Sequence, residues 1–211
     1  MYIPKYFKPS DMDEVRTFLS DARFAILVQV EDGRPVATHL PVEYCTDAEG
    51  DYVLAHMARA NRQWRLFASS DSAMMIFQGP DAYISPAWYD HVNVPTWNYQ
   101  AVHIHGRASL IEDREEVLGI LSRLMRRHES ARECPVRFEN YTASFLENEI
   151  RGTVAFRVDV ESIEANYKLS QNRNEQDYAR IIDELKAVGG ENELGVASAM
   201  QRIGKTRDKQ S

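Results

Sequence analysis

From Phe24 to Ile111 the chain alternates short β-rich runs with turn signals, and this limits the folds open to it more than any other feature. Phe24–Val30 is a run of β-formers that meets Asp32-Gly33, a two-residue hairpin signal. The return run, Pro35–Tyr44, contains Pro41, which has no N–H to give a ladder and so marks an edge or a bulge. Asp47–Gly50 is a second turn and Asp51–Met57 a third strand. Ser72–Gln78, Ala82–Tyr89 and Thr96–Ile111 follow, with Gly79-Pro80 read as the turn between the first two. Gly152–Val160 is the last strand, with Val154, Phe156, Val158 and Val160 alternating inward. Many short antiparallel strands with little helix between them imply a barrel or a sandwich. The long Thr96–Ile111 strand can bend and pair on both sides, which favours the barrel. The expected class is mainly β with helices (α+β).

Helical signals frame this series. Ser10 followed by Asp13 is a capping pattern before the apolar stripe Met12, Val15, Phe18 and Leu19. Asn61 caps a short helix carrying Trp64 and Phe67. Asp113 and Glu116 open a helix through His128, with Val117, Leu121, Leu124 and Met125 inward. Ala143–Ile150 is another short helix. Asn174 with Asp177 caps a helix through Val188 that Gly189-Gly190 ends, and Leu194–Ile203 is a last amphipathic one. A chain of 211 residues suits one domain of generous size, or one domain plus a helical appendage; a barrel over 1–165 and a packed C-terminal extension over 166–211 are expected. No apolar run approaches the ~20 residues a membrane span needs. The opening MYIPKYFKPSD lacks a signal-peptide core, so a cytoplasmic location is expected. Cys45 and Cys134 are too few for a disulfide framework or a thiolate metal site. A formal charge of −7 argues against a surface that grips nucleic acid throughout, without excluding a local basic patch.

Three clusters could carry chemistry. On the Thr96–Ile111 strand, Trp97, Tyr99, His103 and His105 fall on one side, and Asn98, Val102 and Ile104 on the other. The aromatic side suits either a flat heteroaromatic ligand with polar edges or an aromatic core with hydrogen-bonded histidines. From His56 to Trp64, HMARANRQW joins a strand end to a helix start, and Arg59, Asn61 and Arg62 add donors that could hold a phosphate. Taken alone, the segment reads more readily as a solvated helix start with surface arginines, and it is neither a P-loop nor a dinucleotide fingerprint. KLSQNR, Lys168–Arg173, places five hydrogen-bonding side chains in six residues, as a linker also would. His39, His56, His103 and His105 come with no HExxH and no thiolate, so metal ligation is not favoured. No nucleophile elbow is visible.

MYIPKYF, ATHLP, HMARANRQW, IFQGPDAYISPAWY, VPTWNYQAVHIHGRA and KLSQNR, in this order, resemble the PaiB-type transcriptional regulators. These are FMN-binding split-barrel proteins related in fold to pyridoxamine-phosphate oxidase and flavin reductases. The resemblance implies an FMN-binding split β-barrel with a C-terminal helical segment, a homodimer with flavin between subunits, and negative regulation of transcription. It places the phosphate at His56, Met57, Ala58, Asn61, Arg62, Gln63 and Trp64. The isoalloxazine falls against Thr38, His39, Leu40 and Pro41. Trp97, Asn98, Lys168, Ser170, Gln171, Asn172 and Arg173 close the pocket, from the same or the partner chain. The exposed aromatics expected at Trp88, Trp97 and Tyr99 suit a subunit contact. The other functions weighed are a flavin-dependent oxidoreductase acting on a small molecule and a histidine-ligated metal or haem protein. There is no obvious helix-turn-helix, so regulation would run through a protein partner, a metabolite, or DNA contacts from Arg202, Lys205, Arg207 and Lys209.

Overall fold

The computed structural model describes residues 1–69 and 72–207, with side chains through Gly204. Six strands close a barrel in the order β1-β2-β3-β6-β5-β4. They are β1 (Phe24–Glu31), β2 (Arg34–Asp47), β3 (Gly50–Ala58), β4 (Ala73–Ile84), β5 (Thr96–Ile111) and β6 (Thr153–Lys168). Among the described residues five α-helices accompany them: α1 (Met12–Asp21), α2 (Arg114–Glu129), α3 (Ala143–Gly152), α4 (Glu175–Val188) and α5 (Glu191–Arg207). By contacts the chain gathers into two compact units. One comprises Arg16–Phe77 and His103–Ile163; the other comprises Met1–Val15, Gln78–Val102 and the chain from Glu164 on.

In the first unit the β1–β2 hairpin turns at Asp32 (φ 49°) and Gly33 (φ 76°), two successive left-handed residues as a type I′ turn requires. Register follows, pairing Leu27 with Thr38 and Ala25 with Leu40. β2 pairs with β1 up to Pro41 and with β3 from Val42, so the residue without an N–H stands where the strand changes partners. Leu27, Leu40, Val53, Ala55, Met57, Met75, Phe77, Phe156 and Val158 are buried. A 3₁₀ turn over Arg62–Ala68 lays Phe67 against Phe156, ring centroids 4.9 Å apart. Gly106 is required by packing: a Cβ there would lie 1.9 Å from the Asp159 carbonyl oxygen. α2 begins at Asp113, whose carboxylate accepts from Glu116 N. Helices α2 and α3 lie over Leu54, Ala155 and their neighbours, with Val117 and Ile120 facing in.

In the second unit Asn174 caps α4 and Gly189, at φ 76°, ends it. Tyr178 of α4 donates to the Met200 carbonyl of α5 at 2.7 Å. Ile181, Leu185, Val196 and Met200 are fully buried. The absence of a side chain at Gly195 lets α5 approach Pro80, which a Cβ would meet at 2.7 Å.

Several boundaries depart from expectation. Gly79-Pro80 is no turn: β4 runs through it from Ala73 to Ile84, and Pro80 spends its ring on α5. The segment expected as strand up to Tyr89 ends in a 3₁₀ turn at Pro86–Trp88. Asp11, rather than Ser10, accepts from Asp13 N at the start of α1. β6 continues to Lys168, eight residues beyond Val160. α5 starts at Glu191 and reaches Arg207. Among the described residues no helix is long and apolar enough to cross a membrane. Cys45 and Cys134 are both free.

Candidate functional site

At the end of β3 the chain leaves Ala58, turns, and enters the Arg62–Ala68 3₁₀ turn, setting Asn61 beside β2. Asn61 Oδ1 accepts from Gln63 N at 3.0 Å, and Asn61 Nδ2 donates to Thr38 Oγ1 at 2.8 Å. The Thr38 hydroxyl donates onward to Gln63 Oε1 at 2.6 Å. Gln63 Nε2 donates to the Leu27 carbonyl at 3.3 Å and reaches Gln29 Oε1 at 3.5 Å. Three of the expected flavin residues, Thr38, Asn61 and Gln63, therefore form one chain of uncharged groups. Gln29 is a fourth member that sequence reading missed. Its signal was a polar residue at an inward position of an otherwise apolar strand, AILVQV. Gln29 is buried and its Nε2 has no partner among the described residues, which leaves a buried donor open.

The remaining residues of this segment separate. Arg62 is exposed beside the group. Arg59, expected to offer donors to a phosphate, is instead committed to the Arg151 and Thr153 carbonyls at 2.8 and 2.9 Å. Trp64 donates its indole N–H to the Arg59 carbonyl, and the Arg65 guanidinium lies 5.5 Å from its ring. Leu40 and Met57 are buried core residues. His39 and Pro41 sit on the outer side of β2, in register with Ile26 and Phe24. His56 also faces outward, into a cavity under α2 and α3. Burial holds its imidazole below the usual range.

In the other unit the face preference of β5 is settled by burial. Asn98, Gln100, Val102 and, further along, Ile104 are buried. Trp97 is 53% exposed and meets Tyr83 edge-on at 6.0 Å. Tyr99 accepts a hydrogen bond from Asn166 Nδ2 at 3.1 Å. Asn98 and Ser170 pair reciprocally, Asn98 Nδ2 donating at 2.9 Å and Ser170 Oγ at 3.2 Å. Ser170 holds φ 61°, an uncommon conformation for a residue with a side chain. Gln171 bonds Leu169 N and the Tyr167 carbonyl, shaping its own loop. Lys168 donates to Thr96 Oγ1; burial, then the Arg173 charge, holds its pKa below the usual value. Arg173 lies over the Tyr89 ring at 4.8 Å, and Asn172 is exposed. KLSQNR is thus a folded connection whose Ser170 and Gln171 are already engaged. Asp90, His91 and Asp177 bring ligand atoms within 4.8 Å of one another, but hydrogen bonds account for them. Asp177 accepts from Asp90 N and Asn174 Nδ2, and His91 lies against Asp90.

The closed six-stranded barrel, taken with a family match over most of the chain, places the protein in the flavin-binding barrel class. Residues 1–162 match the family described as "Putative FMN-binding domain", and the chain belongs to that family. It is 42% identical over 201 residues to the protease synthase and sporulation protein PAI 2 of Bacillus subtilis, covering 95% of this chain and 97% of that one. Among solved structures it is similar to the FAD and haem binding protein of Mycobacterium smegmatis, with TM-score 0.60 and 18% identity over 87% of this chain and 80% of that one. It is similar also to the flavocytochrome Anf3 of Azotobacter vinelandii, with TM-score 0.54 and 19% identity over 84% and 78% of the two chains. At such identities these two likenesses concern the fold alone.

Proposed function

We propose that the protein is an FMN-binding negative regulator of gene expression. The carrying observation is the family match over 1–162 together with 42% identity to a relative named for protease synthesis and sporulation. The residues fit the cofactor. A flavin ring edge presents carbonyl acceptors and an N–H donor, and Thr38, Asn61, Gln63 and the unpaired Gln29 Nε2 present complementary uncharged groups. Arg62 supplies the cation for a phosphate. Bound FMN would supply one- and two-electron chemistry; the chain's own part is to bind and orient it.

The same reading makes the protein a homodimer through the outer face of β1, β2 and β4. Ile26 pairs with His39 and Ile76, and Val28 with Ala37 and Met74, so these residues share one side of three adjacent strands. Phe24 and Val30 on that side are 55% and 59% exposed. An apolar sheet face of this kind marks a partner contact, and a two-fold pairing would present two equivalent flavin clefts. We place the protein in the cytoplasm, where its relative's named role would operate. The acidic balance of the chain favours a regulatory protein partner over unaided DNA contact. Of the cationic residues considered for DNA, Arg202 is exposed on α5 and bonds Ser198 at 3.1 Å. The Lys205 and Arg207 side chains and Lys209 lie outside the described residues.

Titration of flavin-free protein with FMN and FAD tests the reading. FMN is expected to bind with a shifted flavin spectrum and clear preference over FAD; equal or tighter FAD binding refutes it. Steady oxidation of NADH or NADPH by the FMN-loaded protein would move the assignment to an oxidoreductase.

A further inference from the structure

On β3 the inward residues Val53, Ala55 and Met57 alternate with Leu54 and His56, which face α2 and α3. Leu54 does what such a position ordinarily does: it packs with Val117, Ile120 and Ala155 in a filled core. Two residues along the same face, the packing stops. A cavity of about 370 Å³ opens under the two helices. Leu121, Leu124 and Met125 of α2 form one wall. The other is aromatic: Tyr141 and Phe145 stack with centroids 5.0 Å apart, and Phe138 meets Tyr141 edge-on at 6.4 Å. This volume lies at the small end of the range for ligand sites, room for one or two fused rings.

His56 is the polar group on the sheet side of this space. Its Nδ1 is buried and has no hydrogen-bond partner among the described residues. A helix pair that only sealed the sheet would be better served by a second leucine here, since an unpaired buried nitrogen costs stability and gives nothing back. His128 and Glu149 lie at the exposed rim. An anion would face the Glu149 carboxylate, and a cation would bury its charge among leucines beside a neutral imidazole. Thr38, Asn61 and Gln63 are not among the walls.

We propose that this cavity is a second ligand site, for a small uncharged aromatic molecule bearing one hydroxyl, a phenol-class ligand that hydrogen-bonds His56. The ring lies among the leucines, the Met125 thioether and the aromatic wall, a surface whose edges and faces suit another ring. A site of this chemistry under two helices gives the protein a way to sense a metabolite independently of flavin.

The test is equilibrium dialysis of 2-naphthol against the full-length, FMN-saturated protein, with 2-methoxynaphthalene as the control that keeps the rings and loses the donor. One saturable site per chain is expected, with the naphthol roughly five- to tenfold tighter than the ether, the worth of one hydrogen bond. His56→Leu should bring the naphthol down to the ether, and Leu124→Trp should block both. A wild-type measurement guards against variants that do not fold: on titration with the naphthol, the ring-nitrogen signal of one histidine, His56, should move. Four results overturn the proposal: no saturable binding, equal binding of naphthol and ether, no shift of that ring nitrogen, or undiminished binding by a folded His56→Leu protein. Competition between 2-naphthol and FMN in flavin-free protein overturns it differently, by assigning the cavity to the flavin itself.

Discussion

Replacing Asn61 and Thr38 singly and together reads the hydrogen-bond group of the candidate flavin site in energetic terms. Asn61→Ala removes a cap, Oδ1 to Gln63 N at 3.0 Å, and a side-chain bond, Nδ2 to Thr38 Oγ1 at 2.8 Å. A lost cap costs about 1 kcal/mol and a lost neutral hydrogen bond about 1 kcal/mol, so the single change should cost about 2 kcal/mol. Thr38→Val keeps the shape and removes two bonds, that from Asn61 and its own to Gln63 Oε1 at 2.6 Å, again about 2 kcal/mol. The Thr38–Asn61 bond is counted in both. The double variant should therefore lose about 3 rather than 4 kcal/mol, a coupling of about 1 kcal/mol. Urea unfolding of flavin-free protein measures all four corners of the cycle. Strict additivity, within about 0.3 kcal/mol, would refute the network as described. Repeating the cycle with FMN at about 100 times its Kd should add about 2.7 kcal/mol to the wild type. If Asn61 also bonds the flavin ring edge, that increment shrinks in Asn61→Ala by about 1 kcal/mol. An undiminished increment assigns Asn61 to the fold alone.

Three further outcomes are expected. Gly106→Ala drives a methyl group against the Asp159 carbonyl oxygen and should cost about 1–3 kcal/mol, visible as a lower thermal midpoint; an unchanged midpoint would mean that the β5–β6 approach is looser than drawn. Val28→Arg, on the outer β1–β2–β4 face, should give a monomeric mass by light scattering without loss of the circular dichroism of the fold, whereas a dimer that survives it would locate the subunit contact elsewhere. His56 contributes a pH dependence of known sign: burial holds its folded pKa below the ordinary 6.5, so as pH falls the unfolded chain takes up the proton first. Stability from this group is complete above pH 6.5 and is lost as pH falls below it. His56→Leu should flatten urea midpoints between pH 7 and 5 relative to wild type, and parallel curves would contradict the neutral, buried imidazole.

Local chemistry determined much of this protein. Asp32-Gly33 sets a hairpin because two left-handed residues are needed there and these two tolerate them. Asp113, Asn174 and Gly189 set helix ends because their bonds are made within one turn of chain. The alternation in β5 and β6 declared two faces, and the capping of the turn at Asn61 was legible with it. What lay beyond reach were choices made by distant neighbours. Gly79-Pro80 reads as a turn, yet it continues a strand, with the proline ring against Gly195, more than a hundred residues on, where a side chain would collide with it. HMARANRQW looks like one donor cluster, but Arg59 turns to carbonyls at Arg151 and Thr153 while Asn61 and Gln63 join Thr38 and Gln29. Nothing near His56 announces that α2 and α3 will close over it and leave its nitrogen unpaired. Sequence determines which groups a segment can offer, because that is covalent and local. Which groups remain free is decided only when the tertiary structure has consumed the rest, since each buried donor must find its acceptor wherever the chain happens to bring one.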